Sequence, residues 1–451
     1  MLGVQREDKV WFEITDDQSD RTSADSQTSI VTVYGFYLQE SPIHLTIIDT
    51  PGYGGTRGVD LDKEIAESLL NLCKSAEEIY EIHAVCLVIK ATQNRLSDRQ
   101  IYIFDAVQSL FGRDIVENIV LLFTHSSGAP PRNALTAVKE AKIKCALNDK
   151  KKPVYFLFNN CQSETADEDD EEDDKEREKR LDSSWNLSFK GMVQLEKFLD
   201  TIQPKSLKMT QDVLKQRKQL EANINNLQSR VQVMELKQNE LKQTRVALEQ
   251  NKKDVKENKN FEYEVDVVYK ERVEIDPKMA TCCTVCEENC HYPGCWWVSD
   301  LKWCSVMKDK HCTVCTNKCH YKEHIKGAKK YETKTKKEKR TYEDLKKKYD
   351  GKIRDGESLV MKLEEELQEL EEEKIKLVFE AFDCVETLEK IALKNDSVFT
   401  LLHIDYLIEK LKDMNKKEKA EILEKIKKRA EEENTRALGF IKRIKEKKSY
   451  F

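Results

Sequence analysis

The sequence predicts an α/β region followed by a long helical hairpin, a small cysteine/histidine module held between the arms of that hairpin, and a C-terminal helical bundle. Three observations carry this reading. Short β-branched runs alternate with helical patterns through residues 1–204, the signature of a sheet covered by helices. A seven-residue apolar repeat then takes over, stops, and resumes some hundred residues later. Nine of the 14 cysteines fall between Cys282 and Cys319, inside the interruption.

The strands of the α/β region are expected at 30–37, 43–49, 84–90, 119–124 and 154–158, with helices at 63–81, 98–111, 134–148 and 192–199. Strands separated by helix-length connections favour a parallel sheet. Residues 165–180 are almost wholly charged, with eight consecutive acidic residues from Asp167 to Asp174. Such a run repels itself and buries nothing, so a disordered insertion is expected there. After Pro204, Val213, Leu220, Leu227, Met234, Leu241, Leu248 and Val255 keep a heptad through 205–260, a coiled coil of about 80 Å at ~1.5 Å per residue. A second heptad segment (342–377) carries Ile353, Val360 and Leu367 in one series and Leu363, Leu370 and Leu377 in the other. Two such helices bracketing a module imply an antiparallel hairpin, with an intermolecular coil as the alternative.

The segments 261–281 and 326–341 alternate with a strand period. Glu262, Glu264 and Asp266 share one face of the first, and Lys334 and Lys336 one face of the second. Opposite charges on facing strands stabilise a pair by up to ~1 kcal/mol, so an antiparallel ribbon is expected to join coil and module. The tail, 378–451, reads as several amphipathic helices in which Cys384 and His403 fill apolar faces.

Lys+Arg total 77 and Asp+Glu 83, a net charge of -6 within a chain that is 35% charged. Near-cancellation of that kind marks solvated helices rather than a nucleic-acid protein. No apolar run approaches the ~18 residues of a membrane helix, and the start lacks the pattern of a signal peptide. A cytoplasmic setting is therefore expected, where clustered thiols bind metal more often than they form disulfides.

Within 282–325 the unit CTVC-x3-CHY-x2-[CH] occurs twice, at a constant offset of 29 residues. Each copy offers four soft ligands, which suits tetrahedral zinc. One structural site is assigned to Cys283, Cys286, Cys290 and Cys295, the other to Cys312, Cys315, Cys319 and His324. His291 and His320 are substitutes, and the copies could exchange ligands in a cross-brace. Full sets of four leave no open position for catalytic water. Disulfides are the alternative in an oxidising setting. Trp296, Trp297 and Trp303 are expected to pack the small metal core, with an aromatic partner-binding patch as the sharper reading. Cys73, Cys86, Cys145 and Cys161 lie in or beside apolar segments and read as inert core thiols.

IHLTIIDTPGYGG places Asp49 at the end of a buried strand, followed by Thr50, Pro51 and Gly52. An Asp so placed can hold Mg²⁺ through water, and the Gly amide can meet a γ-phosphate. An ordinary strand-to-loop turn is the bland alternative. Further on come AVCLVIKATQNRLSDRQIYIFDAVQSLFG, then NIVLLFTHSSG, then VYFLFNN. In order and spacing this set resembles the immunity-associated nucleotide-binding GTPases, which sit close to septins, over 43–199. The resemblance rests on the strand at 87–89, the turn from Arg95 to Asp98, and the helix closing with Phe111 and Gly112. It implies that 1–204 is a P-loop-type G domain binding GTP with Mg²⁺. Asp49, Thr50, Pro51 and Gly52 would lie at the phosphates, Thr28 at Mg²⁺ ahead of Ser29 and Thr32 as alternatives, and Thr124, His125, Asn159 and Asn160 at the base.

Two departures stand beside the matches. No GxxxxGK[ST] occurs, so the G domain is incomplete and lacks the amide cradle and phosphate-binding lysine. A truncated gene model is expected over a degenerate protein. The base-reading loop is THSSG, without the Asp that reads guanine in the family. Tyr53 follows Gly52 where Ras-like enzymes carry a water-orienting Gln, so no catalytic residue is assigned. The leading expectation is a GTP-controlled assembly or signalling protein whose nucleotide state is relayed through the coiled coil to protein partners, with self-association through that coil and with binding impaired in this chain. A nucleotide-independent coiled-coil and zinc scaffold is the alternative. Nucleic-acid binding through the basic stretch 326–348 comes third, because such a run is ordinarily a solvated face.

Overall fold

The computed structural model describes residues 3–4, 10–11, 31–37, 44–50, 65, 81–93, 95–160, 174–250, 262–275, 279–292, 294, 300–304, 306–341, 343, 356–394 and 398–448. The chain forms two units: Met1–Leu214 with Glu389–Leu401 and Ile426–Phe451, and Lys215–Leu388 with Leu402–Lys425. Among the described residues no helix is long and apolar enough to cross a membrane.

In the first unit, β1 (Thr32–Tyr37) and β2 (His44–Asp49) pair antiparallel, Thr32 facing Asp49. Three parallel strands form a second sheet in the order β3 (Val85–Lys90), β4 (Ile119–Thr124), β5 (Tyr155–Leu157). The connections are α1 (Asp98–Ser109) and α2 (Arg132–Glu140). Among the described residues no strand joins the two sheets by hydrogen bonds. The central strand β4 is the most apolar and the most enclosed, with Ile119, Val120, Leu121 and Phe123 all at 1% exposure or less. That is the burial expected of a parallel strand covered on both faces. Helix α1 starts where the sequence supplies a capping box: Ser97 Oγ accepts from the Gln100 amide and the Gln100 side chain accepts from the Ser97 amide at 2.9 Å. On β3, by contrast, Cys86 and Val88 lie on the exposed face. Cys86 is therefore not the core thiol its apolar surroundings suggested; alternation, not local hydrophobicity, decides its side. Cys145 is buried, while Cys73 and Cys161 lie outside the described residues.

Helix α3 (Asp174–Thr201) begins well before the expected 192–199. Residues 174–180, assigned above to a disordered insertion, are its first turns. Acidic residues favour a helix N-terminus, and Glu176 and Arg180 stand at the i,i+4 spacing that supports a helix. The remainder of the acidic run lies outside the described residues. Gly191 lets α3 approach β5, since a Cβ there would fall 2.1 Å from the Leu157 carbonyl oxygen.

Helix α4 (Lys208–Gln250) starts in the first unit, where Leu214 joins the core and Thr210 Oγ1 accepts from the Gly112 amide at 3.2 Å. In the second unit it packs antiparallel against α5 (Gly356–Ile391). Met234 groups with Leu370, and Leu241 and Leu248 with Leu367 and Val360. Ion pairs repeat the same descending order: Arg230 with Glu373, Lys237 with Glu366, Arg245 with Glu364. Helix α5 runs unbroken through the boundary set above at 377/378, because Leu377, Val378, Ala381, Phe382 and Val385 continue one buried stripe. Helices α6 (Val398–Asp413) and α7 (Lys417–Lys448) complete the helical C-terminal region. In these helices Cys384 is buried and His403 half-buried.

Two 13-residue strands, β6 (Glu262–Glu274) and β12 (Lys329–Thr341), pair antiparallel from Glu262↔Thr341 to Glu274↔Lys329 without a bulge. The inward set, Tyr263 and Val265, packs on α4. Glu264 and Asp266 face Lys339 and Lys337, whereas Lys334 and Lys336 face Tyr269 and Val267. Lys334 reaches Glu271 at 2.7 Å and Lys336 sits 5.6 Å over the Tyr269 ring. Between these strands lie β7 (Ala280–Cys283), β8 (Glu288–His291), the short hairpin β9 (Met307–Lys308) and β10 (His311–Cys312), and β11 (His324–Gly327). Strand β7 is central, flanked by β8 and β11. Trp303 is 56% exposed, with Lys302 Nζ 5.3 Å over its ring. It does not pack the cysteine core as expected, because sulfur and Val306 and Val314 fill that space. Trp296 and Trp297 lie outside the described residues.

Candidate nucleotide edge and metal centre

The C-terminal ends of β4 and β5 bring two of the expected base-contacting loops together. Parallel sheets place ligands at these ends. Thr124 closes β4, and His125 follows with φ 51°, a left-handed conformation uncommon for a side-chain-bearing residue. That turn aims the Ser126 amide at the Phe158 carbonyl, 2.9 Å away, and buries Ser126. The neighbouring loop is fixed by α3: Ser188 Oγ accepts from the Asn159 amide at 3.0 Å and donates to the Asn159 carbonyl at 2.7 Å, with Ser184 Oγ donating to the same oxygen at 3.3 Å. Thr124, His125 and Asn159 thus stand on adjoining, tethered loops, and Asn160 is exposed beside them. Ser184 and Ser188 were not singled out from the sequence; their four-residue spacing on one helical face is the signal that was available.

At the other motif, Asp49 is half-buried at the end of β2 and Thr50 follows it. Thr28, Pro51 and Gly52 lie outside the described residues. The described residues supply no amide cradle for phosphates.

Comparison with known proteins bears on this edge. Residues 21–176 match the AIG1 family. The segment is similar to the immune-associated nucleotide-binding protein 1 of Arabidopsis thaliana, with 36% identity over 89 residues. That match covers 19% of this chain and 36% of the relative, so the chain spans about a third of the curated relative's length. The matched segment contains the β1–β2 pair and the parallel sheet β3–β4–β5.

Outside the AIG1 segment, the cysteine/histidine residues gather into two groups able to hold a metal ion. One is Cys283, Cys286, Cys315 and Cys319; the other is Cys290, Cys312, Cys315 and His324; within each, the ligand atoms lie within 4.8 Å of one another. The grouping crosses the two sequence repeats instead of following each, so the assignment of one site per repeat gives way to its interleaved alternative. The cause is the sheet: Cys283 on β7 faces His324 on β11, which brings the end of the second repeat onto the start of the first. Cys295 lies outside the described residues.

Each CTVC forms a tight turn in which amides point at sulfur. Cys283 Sγ accepts from the Cys286 amide at 3.4 Å, and Cys312 Sγ from the Val314 and Cys315 amides at 3.3 and 3.4 Å. The Cys319 amide donates to Cys315 Sγ at 3.2 Å. These donors favour thiolate over thiol. The proton balance shows the strain of a thiol nest: burial pushes Cys283 and Cys286 up, while Cys290 is raised by donating to Cys312, which is lowered by accepting from it. A divalent cation would take the place of those shared protons.

His324 gives the independent test of fit. Its ring is 4% exposed, its Nδ1–H donates to the His320 carbonyl at 3.0 Å, and its Nε2 is buried without a hydrogen-bond partner. A histidine tethered through Nδ1 with an orphan Nε2 is the arrangement of a metal ligand. The Cys286–Cys319 sulfur separation of 3.7 Å matches the edge of about 3.8 Å for a tetrahedron with ~2.3 Å Zn–S bonds.

The groups are clasped by a polar network absent from the sequence reading. Arg230 on α4 bonds Glu288 on β8 and Thr316, and Glu288 also accepts from the Thr316 amide at 3.0 Å. Lys270 Nζ donates to the Cys286 and Glu287 carbonyls at 3.1 and 2.9 Å.

Proposed function

We propose that this chain is a GTPase-family assembly protein in which the nucleotide state of the AIG1 segment is relayed along an antiparallel coiled coil to a zinc-stapled tip that meets protein partners. Helix α4 carries the reading. Its first turns belong to the α/β unit, where Thr210 accepts from Gly112, and farther along Ala222 packs into the cysteine cluster with Cys283 and Cys312. One helix thus takes part in both, and helices transmit small shifts as rigid bodies. GTP would lie with its base at Thr124, His125 and Asn159, and Asp49 and Thr50 would face Mg²⁺. Zinc would staple the tip structurally, through thiolates and His324.

The test is hydrogen exchange of the full chain with and without GTP and Mg²⁺, alongside direct titration of a fluorescent GTP analogue. Binding with altered exchange in 208–250 and 280–327 supports the relay. Absence of binding ends it.

A second reading, a nucleotide-independent scaffold, is favoured by one observation: the α4–α5 packing and both cysteine groups lie outside the AIG1 segment. It expects the same oligomer in light scattering whether or not GTP is present.

A further inference from the structure

Cys315 occurs in both ligand groups, and the count of ligands gives that overlap a meaning. The two groups together contain seven different side chains: Cys283, Cys286, Cys290, Cys312, Cys315, Cys319 and His324. Two tetrahedral ions need eight coordination positions. Seven ligands fill eight positions only when one of them is used twice, and the residue placed within reach of both groups is a thiol, whose sulfur carries enough lone pairs to bind two cations.

We propose that Cys315 is a bridging thiolate, so that the module holds one binuclear zinc cluster and not two separate zinc sites. This rests on the zinc reading above. Two tetrahedra sharing the Cys315 sulfur as a corner put the ions within about 4.6 Å of each other, twice the ~2.3 Å Zn–S bond. Loading two Zn²⁺ displaces the protons of six thiols and leaves a net charge of two minus on the cluster. The surroundings suit that charge: Lys270 is bonded to the Cys286 and Glu287 carbonyls, and Lys318 to the Thr313 carbonyl. Within the described residues the duplicated motif supplies six cysteines and His324, one ligand short of eight, and Cys315 is the residue the two groups share. A shared corner also couples the copies: neither half is complete without the other, which explains why the repeats interleave.

The experiment uses the full 451-residue chain. Metal content is measured by native mass spectrometry, and the protein is then exchanged with ¹¹³Cd for NMR. The expected result is two ions per chain and two ¹¹³Cd resonances with a scalar coupling between them, carried through the shared sulfur. Cys315→Ser is expected to abolish that coupling and to release both ions at a chelator concentration that removes neither from the parent. Cys319→Ser should perturb chiefly one resonance and Cys290→Ser chiefly the other, while Cys295→Ser keeps both ions and the coupling. Two ions without coupling, or loss of one ion in Cys295→Ser, would overturn the bridge and leave the zinc reading standing. A chain that binds no zinc or cadmium would overturn the zinc reading and the bridge with it. The parent spectrum alone decides the matter if Cys315→Ser fails to fold.

Discussion

Replacing Arg230 by methionine keeps most of the packing volume of the side chain on α4 and removes the guanidinium that bonds Glu288. The Glu288 side chain is 8% exposed and that of Arg230 14%, so the charge left behind is one the solvent reaches poorly. Breaking a buried pair by removing one partner costs about 3–5 kcal/mol. The lower end applies, because Glu288 keeps the Thr316 amide at 3.0 Å and the Thr316 hydroxyl at 2.5 Å. Glu373, ion-paired with the same guanidinium at 3.0 Å and already pushed up by burial, would retain a proton more readily and add little further cost. About 3 kcal/mol corresponds to roughly a 150-fold larger opening equilibrium. The assay is native-state hydrogen exchange of amides in β8 and at Thr316, with metal content matched between variants. The double variant Arg230→Met/Glu288→Gln, which removes both charges of the Arg230–Glu288 pair, is expected to recover most of the loss. An acceleration below about threefold, or a double variant no better than the single one, would refute the argument that the pair is held in a low-dielectric setting.

Gly191→Ala should cost about 1–3 kcal/mol in thermal unfolding through overpacking against the Leu157 carbonyl, whereas Gly327→Ala, whose Cβ meets nothing within 4 Å, should be close to neutral. Asp98 is held below the ordinary carboxylate range by hydrogen bonds from Arg443 and Arg436. Its folded value is depressed, so its contribution is present above the unfolded value of about 3.9 and is lost as pH falls through the folded one. Protection factors of α7 amides, corrected for the intrinsic pH dependence of exchange, should therefore fall on acidification in the parent, and Asp98→Asn should show the lowered protection already at neutral pH. Treatment of the full chain with a strong zinc chelator should increase exchange across 280–327 while leaving β4 and β5 unchanged. Equal protection before and after chelation would count against a structural metal.

The strands of the AIG1 segment were legible because β-branched runs bounded by turn residues have few other places to go: the expected 119–124 is the observed Ile119–Thr124, and 84–90 differs from Val85–Lys90 by one residue. Helix ends were less legible. The charged stretch before α3 looks unfoldable in isolation, but its i,i+4 pairing joins a helix whose later residues are buried. At 377/378 the change of apolar pattern suggested a break where α5 continues, since a helix can pass from one set of neighbours to another without a cap. The residues of the metal groups were readable from the duplicated CTVC units. Their partition was not, because it depends on β7 lying between β8 and β11, a long-range pairing that no local pattern encodes. The Arg230–Glu288 contact left only a faint trace: Arg230 and Lys237 lie seven apart, as do Glu366 and Glu373, which signals charge-paired helices but not a third partner from a strand.

The unbroken pairing of β6 with β12 sets Glu274 directly against Lys329. Residues 275–328 therefore leave and re-enter the fold through neighbouring backbone positions, about 5 Å apart in an antiparallel pair. A two-residue turn spans the same gap. Topologically the cysteine-rich segment is an insertion into one continuous two-stranded ladder, so its length can change without rethreading either strand.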